Sequence, residues 1–299
     1  MIGGFLRQEH VGAAAGGGEE DLTMEGLPEW ISHHIGDARE IEFAGGHWSL
    51  EPLALDPFQL GPVSIDLSPT RQLLVMLAVA VILPLIFIPV ARIIRSRGVE
   101  NAPRGFANSM EAMILYFRDE VVRTNIGHGA DAYTPFILTL FVFILGMNLI
   151  GLTPLGITPT ANLSVTAALA AISFIVTEVA GFRALGPAGY AKTIFYIPAG
   201  LPVLMRPLML AILTPVEFLG KLAKPFALAV RLLANMTAGH MLILSIMGMI
   251  FVLRSYLMGA ASVTIASALM MLELFVAFLQ AYIFAMLTSV FIGLIRHAH

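Results

Sequence analysis

Between Ala132 and Thr177 the chain carries no Asp, Glu, Lys, Arg or His. A membrane-crossing helix needs about 20 apolar residues, so this stretch is too long for one crossing. It is interrupted by TPLGITPTANLS, whose prolines and glycine break a helix. Because backbone polar groups in lipid must be satisfied internally, the pattern predicts one helix out and one helix back.

Composition places the whole chain in the same class. It is 58% hydrophobic and 12% charged, with a mean hydropathy of +0.84, and the charged share is about half that of a soluble domain. Its 299 residues leave room for five or six spanning helices of roughly 20 residues. A net charge of −3 gives no reason to expect a nucleic-acid partner. The absence of cysteine excludes disulfides, thiolate metal sites and cysteine nucleophiles. The eight histidines are scattered, only His33/His34 and His297/His299 being close together, so neither a metal nor another cofactor is expected.

Helices are expected near 71–92, 105–125, 134–153, 162–182, 206–253 and 256–296. The fold class that follows is an all-α polytopic membrane protein: about five membrane-spanning helices plus a cytoplasmic interfacial helix, the last two spans long, tilted and antiparallel. Residues 105–125 form the interfacial helix. Their apolar positions 106, 110, 113, 114, 117 and 121 recur at helical spacing, while Glu111, Arg118, Asp119, Glu120 and Arg123 take the other faces. The stretches 206–253 and 256–296 are each about twice as long as a perpendicular span, which implies tilt or curvature.

The N-terminus, MIGGFLRQEHVGAAAGGGEED, lacks a basic patch followed by an apolar core, so no cleaved signal peptide is expected. A short amphipathic helix is expected at LPEWISHHIGDAREIE, with Pro28 in its first turn. The segment after it is punctuated by Gly and Pro and reads as a hairpin or an irregular arm. The first span is charge-free from Gln72 to Ala91 and exits into Arg92, Arg95, Arg97 and Arg104. By the positive-inside rule that exit is cytoplasmic. Residues 1–70 are therefore expected as an extracytoplasmic arm on a single membrane domain, 71–299, whose C-terminus is cytoplasmic.

The stretch PFALAVRLLANMTAGHMLIL holds Arg231 amid apolar residues. A guanidinium cannot escape burial by deprotonating, so it must be paired, hydrated or used. If the last two helices are antiparallel neighbours, Arg231 falls level with Gln280 and His240 level with Glu273. That gives two polar layers, a fixed cation facing an amide and an imidazole facing a carboxylate, roughly 10 to 14 Å apart. Glu217, Lys224 and Arg231 share one stripe, and Asn235 lies near it. Ala227, Ala234, Ala238 and Gly239 are small enough to admit another helix backbone.

Structural readings stand beside these. Arg231 pairing with Glu273 would be a static bridge, although the two differ in expected depth. His240 and Glu273 could form only an internal hydrogen bond, but a titratable pair within a membrane more often marks a proton path. Lys221 and Lys224 read as interfacial, Lys221 pairing with Glu217 four residues before it. Asn148 and Glu178 carry no assigned chemistry.

KPFALAVRLLANMTAGHMLI, followed by LELFVAFLQAYIFAMLTSVFI, resembles the two signature helices of the a subunit of F-type ATP synthase. TPTANLSVTAALA is similar to that family's segment entering the fourth membrane helix. The resemblance implies a stator proton channel of the F0 sector, with two offset half-channels leading to a ring of c subunits, each carrying an ion-binding carboxylate. Arg231 corresponds to the essential arginine, whose permanent charge would favour a deprotonated ring carboxylate and block leakage between half-channels. Gln280 would help to position it and Asn235 would line the same region. His240 and Glu273 would serve the outer half-channel, in an order that some bacterial members reverse, and Glu217 the cytoplasmic one. Where many members read RLFGNM this chain has Leu233 and Ala234 in RLLANM, both compatible with close packing.

The implied partners are the c-ring, the peripheral-stalk b subunits, the rest of the F1F0 complex and membrane lipid. The implied location is the bacterial inner membrane. The chain lacks a GxxxxGK[ST] nucleotide loop and is expected to be a non-catalytic subunit. A self-contained proton-coupled secondary transporter would also place ionisable groups at the midplane, but it predicts internal repeats that the sequence does not display. A non-conducting scaffold would leave Arg231, His240, Glu273 and Gln280 unexplained as a set.

Overall fold

The computed structural model describes residues 40–43, 46–50, 58–60, 63–65, 68–97, 105–153, 156–195, 205–253 and 256–297. For 40–43, 46–48, 58–60, 63–65, 97, 251–253 and 256–258 the description is of the backbone alone. Two antiparallel hairpins come first: β1 (Glu40–Phe43) pairs with β2 (Gly46–Ser49), and β3 (Phe58–Leu60) with β4 (Val63–Ile65). The expected amphipathic helix at 27–42 lies outside the described residues except for Glu40 to Glu42, which belong to β1. The hairpin reading of the following segment holds for β3 and β4, which lie wholly within it, whereas β1 takes up the end of the stretch expected as helix.

Among the described residues six longer helices follow, with short 3-10 turns at Ala130–Ala132 and Pro159–Ala161: α1 (Arg71–Arg97), α2 (Phe106–Tyr116, continued by a π-helical stretch Phe117–Arg123 and a last turn Thr124–Ile126), α3 (Thr134–Gly151), α4 (Leu163–Ile194), α5 (Arg206–Leu253) and α6 (Tyr256–Arg296). Five of them, all but α2, are long and apolar enough to cross a membrane. This is a multi-pass membrane protein. The 48 residues of α5 and 41 of α6 correspond to roughly 70 and 60 Å of helix, about twice the hydrocarbon thickness.

Helix α1 is apolar all round, and Leu77, Val81, Leu85 and Ile88 stay exposed, as suits a surface solvated by lipid. The core lies among α3, α4, α5 and α6, where Phe141, Ile144, Met147, Leu232 and Phe284 are fully buried. Helix α2 buries mainly its second half, through Phe117, Val121, Val122 and Ile126, while in its first half Ala107 is buried and Phe106 exposed. Gly293 of α6 lies so close to the backbone carbonyl of Asn125 that no side chain fits there, and Ser289 donates to the Val121 carbonyl at 3.1 Å. The end of α6 is thus fastened to α2.

The fourth helix runs past its expected end near 182. It kinks at Gly186, whose φ of 69° is a conformation glycine tolerates and other residues resist, and Pro187 starts the turns that reach Ile194. That kink returns Tyr190 and Thr193 toward the body of α4, a placement that matters for the site below.

Candidate functional site

Helices α5 and α6 pack side by side and antiparallel, and two polar layers form between them. In one, the Asn235 amide donates to Gln280 Oε1 at 2.9 Å. In the other, His240 Nδ1 stands 3.6 Å from Glu273 Oε1, with the two side chains 14% and 5% exposed. Glu273 and Gln280 are seven residues apart, two helical turns or about 10 Å. The two layers form as expected, but Gln280 meets Asn235 rather than Arg231, one turn away.

Arg231 is exposed, and among the described residues it makes no hydrogen bond or ion pair. Ala227, Ala234 and Ala238 are exposed along the same stripe. The alternative of a static Arg231–Glu273 bridge does not form, because Glu273 is buried against His240. The guanidinium instead stands on a surface of small side chains that a second helix can approach closely.

The His240 layer is wider than a pair. Its other ring nitrogen, Nε2, is hydrogen-bonded to the Thr158 hydroxyl, which comes from the segment between α3 and α4. Two residues on, the Thr160 hydroxyl donates to Asn148 Oδ1 at 2.7 Å, and the Asn148 amide donates to the Ala277 carbonyl of α6 at 3.2 Å. Asn162 caps α4 by accepting from the Ser164 amide at 2.8 Å. The sequence TPTAN that interrupts the charge-free stretch thus plants two threonines in the bundle and starts the next helix. Asn148, fully buried, was given no chemistry by the sequence, and neither was Thr158. A Thr-Pro-Thr run between two apolar spans was the only signal for them.

A second cluster lies at the kinked end of α4. Glu217, Lys221 and Lys224 of α5 line a cavity of about 390 Å³, together with Glu178, Lys192 and Thr193 of α4. Lys221 pairs across helices with Glu178 at 3.3 Å, both under one-fifth exposed, and not with Glu217 four residues before it. The Tyr190 hydroxyl donates to the same Glu178 carboxylate, Thr193 Oγ1 accepts from Lys221 Nζ at 3.0 Å, and Lys221 stands 4.5 Å from the Tyr190 ring centre. Glu217 faces the cavity without an ion pair among the described residues.

A third group of charges lies outside the spans. Arg123 donates to Asp131 at 2.9 and 3.0 Å and to Asp119 at 2.8 Å. The Arg123 guanidinium, assisted by Arg118, holds the Asp131 carboxyl down at about 2.

Known proteins share most of this chain. The family model described as ATP synthase A chain matches residues 73–293. An ATP synthase subunit a from Chloroherpeton thalassium is 42% identical over 265 residues, covering 88% of this chain and 75% of the relative. One from Anaeromyxobacter dehalogenans is 40% identical over 310 residues, covering 98% and 78%, and one from Chlorobium phaeobacteroides is 39% identical over 285 residues, covering 95% and 78%. The matched stretch takes in all five apolar helices, short of the first two residues of α1 and the last three of α6, and both layers between α5 and α6; the chain belongs to the ATP synthase A chain family and is a membrane subunit of that complex.

Proposed function

We propose that the chain is the stator proton channel of the F0 sector, a non-catalytic subunit that couples proton movement to rotation of a c-ring and so to ATP synthesis. The observation that carries this reading is Arg231: a permanent cation, exposed on an apolar helix, unpaired among the described residues and flanked by alanines. Exposing such a charge to lipid costs several kcal/mol. A ring carboxylate passing over the alanine stripe would offset that cost and would be held ionised while it did so. Asn235 and Gln280, tied to each other, fix the helix surface beside the arginine.

His240 and Glu273 form the outer half-channel in this reading. The carboxylate oxygens of Glu273 are buried and accept no hydrogen bond among the described residues, which leaves both available to a proton. Glu217, facing the cavity at the opposite end of α5, serves the cytoplasmic half-channel. The arm of residues 1–70 is extracytoplasmic and the C-terminus cytoplasmic, in a bacterial inner membrane. The b subunits of the peripheral stalk hold the membrane domain, 71–299, against rotation.

The chain contains no cysteine, so single cysteines can be introduced cleanly at Ala227, Ala234 or Ala238. Oxidative cross-linking to cysteines placed beside the ion-binding carboxylate of the c subunit tests the interface. The expected result is a cross-link at each of the three positions. A cross-linked product absent at all three, with the complex intact, would contradict a rotor facing Arg231.

A further inference from the structure

The outer layer holds a group that no role above uses. Thr158 is 4% exposed, sits outside any helix, and points its hydroxyl at His240 Nε2. On the far side of the imidazole, Nδ1 faces Glu273. Nε2 is thus hydrogen-bonded, while Nδ1 stands 3.6 Å from Glu273 Oε1, close enough to pair but short of a hydrogen bond until the two groups close up. Glu273 is the one ionisable group paired with His240 among the described residues.

The packing around this triplet is built tightly. A side chain at Gly151 of α3 would run into Thr158, whose Cβ would stand 2.9 Å from it. A side chain at Gly239 of α5 would run into Glu273, 2.6 Å from Oε1. The two glycines thus let Thr158 and Glu273 lie directly against the backbones of α3 and α5. The Thr160 to Asn148 hydrogen bond pins the segment two residues beyond Thr158, so the hydroxyl is held by the fold rather than by chance rotation.

We propose that Thr158 is a positioning residue for the proton relay, holding the His240 ring so that Nδ1 stays aimed at Glu273 in every protonation state. This rests on the proton-channel reading above. The chemistry suits a hydroxyl, which is both donor and acceptor. In the imidazolium, Nε2–H donates to the Thr158 oxygen and Nδ1–H donates to the Glu273 carboxylate. When the proton crosses, the Nδ1–H bond breaks and an O–H bond forms on Glu273, which now donates back to Nδ1 while Nε2–H still donates to Thr158. In the other neutral tautomer the Thr158 O–H donates to bare Nε2. A fixed donor such as an ammonium, or a fixed acceptor such as a carbonyl, would satisfy only some of these states.

The test uses the complete F1F0 complex in inverted membrane vesicles, with ATP-driven proton uptake as the readout and the amount of this chain in the purified complex as the control for assembly. Thr158→Val keeps the shape and removes the hydroxyl, and Thr158→Ser keeps the hydroxyl. Thr158→Val is expected to slow uptake about five- to tenfold, the scale of one neutral hydrogen bond. Thr158→Ser should restore most of the rate, and Thr158→Val should add nothing in a His240→Ala background. A wild-type rate for Thr158→Val beside a slow His240→Ala would overturn the assignment and leave the channel reading intact. A wild-type rate for His240→Ala would overturn that residue's part in the channel itself. Equal slowing by Val and Ser would mean packing alone and would also overturn the assignment. Should Thr158→Val fail to assemble, nitrogen-15 histidine spectra of the wild-type complex decide, with the His240 signals identified by their loss in His240→Ala. A hydrogen-bonded Nε2 is expected, and a free one contradicts the role.

Discussion

Glu273 of α6 lies directly against Gly239 of α5, so close that a methyl group at 239 would stand 2.6 Å from Oε1 and 2.9 Å from Cδ. A side chain there obliges the Glu273 carboxyl to shift from the position it holds beside His240. Gly239→Ala is therefore expected to slow proton translocation about tenfold, since such overpacking costs roughly 1–3 kcal/mol. Glu273→Asp in the same chain, one methylene shorter, should recover part of the rate. Proton uptake by inverted vesicles measures both, and an undiminished rate in Gly239→Ala would show that the acid's position is unimportant.

The two groups of the outer layer should act as a unit. His240→Ala and Glu273→Ala are each expected to slow translocation without abolishing it, because water or a relocated acid can replace a relay group. The double variant should be little slower than the worse single one, the signature of coupled partners. Strictly multiplicative rates would indicate that the 3.6 Å approach carries no coupling.

At the other end of α5, the Lys221–Glu178 pair is shielded enough for its loss to register. Glu178→Ala leaves the ammonium without a counter-charge in a mostly covered site, held only by the Thr193 hydroxyl and the Tyr190 ring, and is expected to destabilise the chain by about 1–3 kcal/mol. Glu178→Gln combined with Lys221→Met should be milder than Glu178→Ala alone, because no charge is stranded. Thermal unfolding in detergent reads the order of the three. A double variant less stable than the single one would assign the stability to attraction rather than to avoided desolvation.

What the sequence made legible follows from how far each signal reaches. Five long apolar helices could be read directly, because lipid imposes length and composition on each helix separately. The His240 and Glu273 pairing was legible too, since two antiparallel helices fix which residues share a depth. The partner of Gln280 was not. Asn235 and Arg231 lie one turn apart on the same face, and only the true rotation and offset of the helices choose between them. Lys221 was assigned to Glu217 by local spacing, but the kink at Gly186 returns Tyr190 and Thr193 toward α4, and the favourable site for the ammonium is then across the helices at Glu178. Thr158 was invisible for a related reason: a loop threonine between two spans gains meaning only when the bundle closes over it.

Outside the spans, the charge cluster of α2 makes a prediction with pH. The Asp131 carboxyl is lowered from 3.8 to about 2 by the Arg123 guanidinium first and Arg118 second. Its folded value lies below its unfolded one, so its stabilising contribution is complete above about pH 4 and disappears as pH falls through about 2. Both partners are exposed, and the effect is small. Asp131→Asn should lower the unfolding temperature slightly at neutral pH, and the difference from wild type should close as pH approaches 2. A constant difference across that range would show that the carboxylate charge is not its source.

In the function proposed above, Arg231 is the fixed charge against which a rotor carboxylate turns. Arg231→Ala, purified as the complete F1F0 complex and reconstituted in vesicles, tests it most directly by proton-driven ATP synthesis. The expected result is a complex that holds the chain in normal amount and makes no ATP from an imposed proton gradient. Synthesis at the wild-type rate without the guanidinium would contradict it.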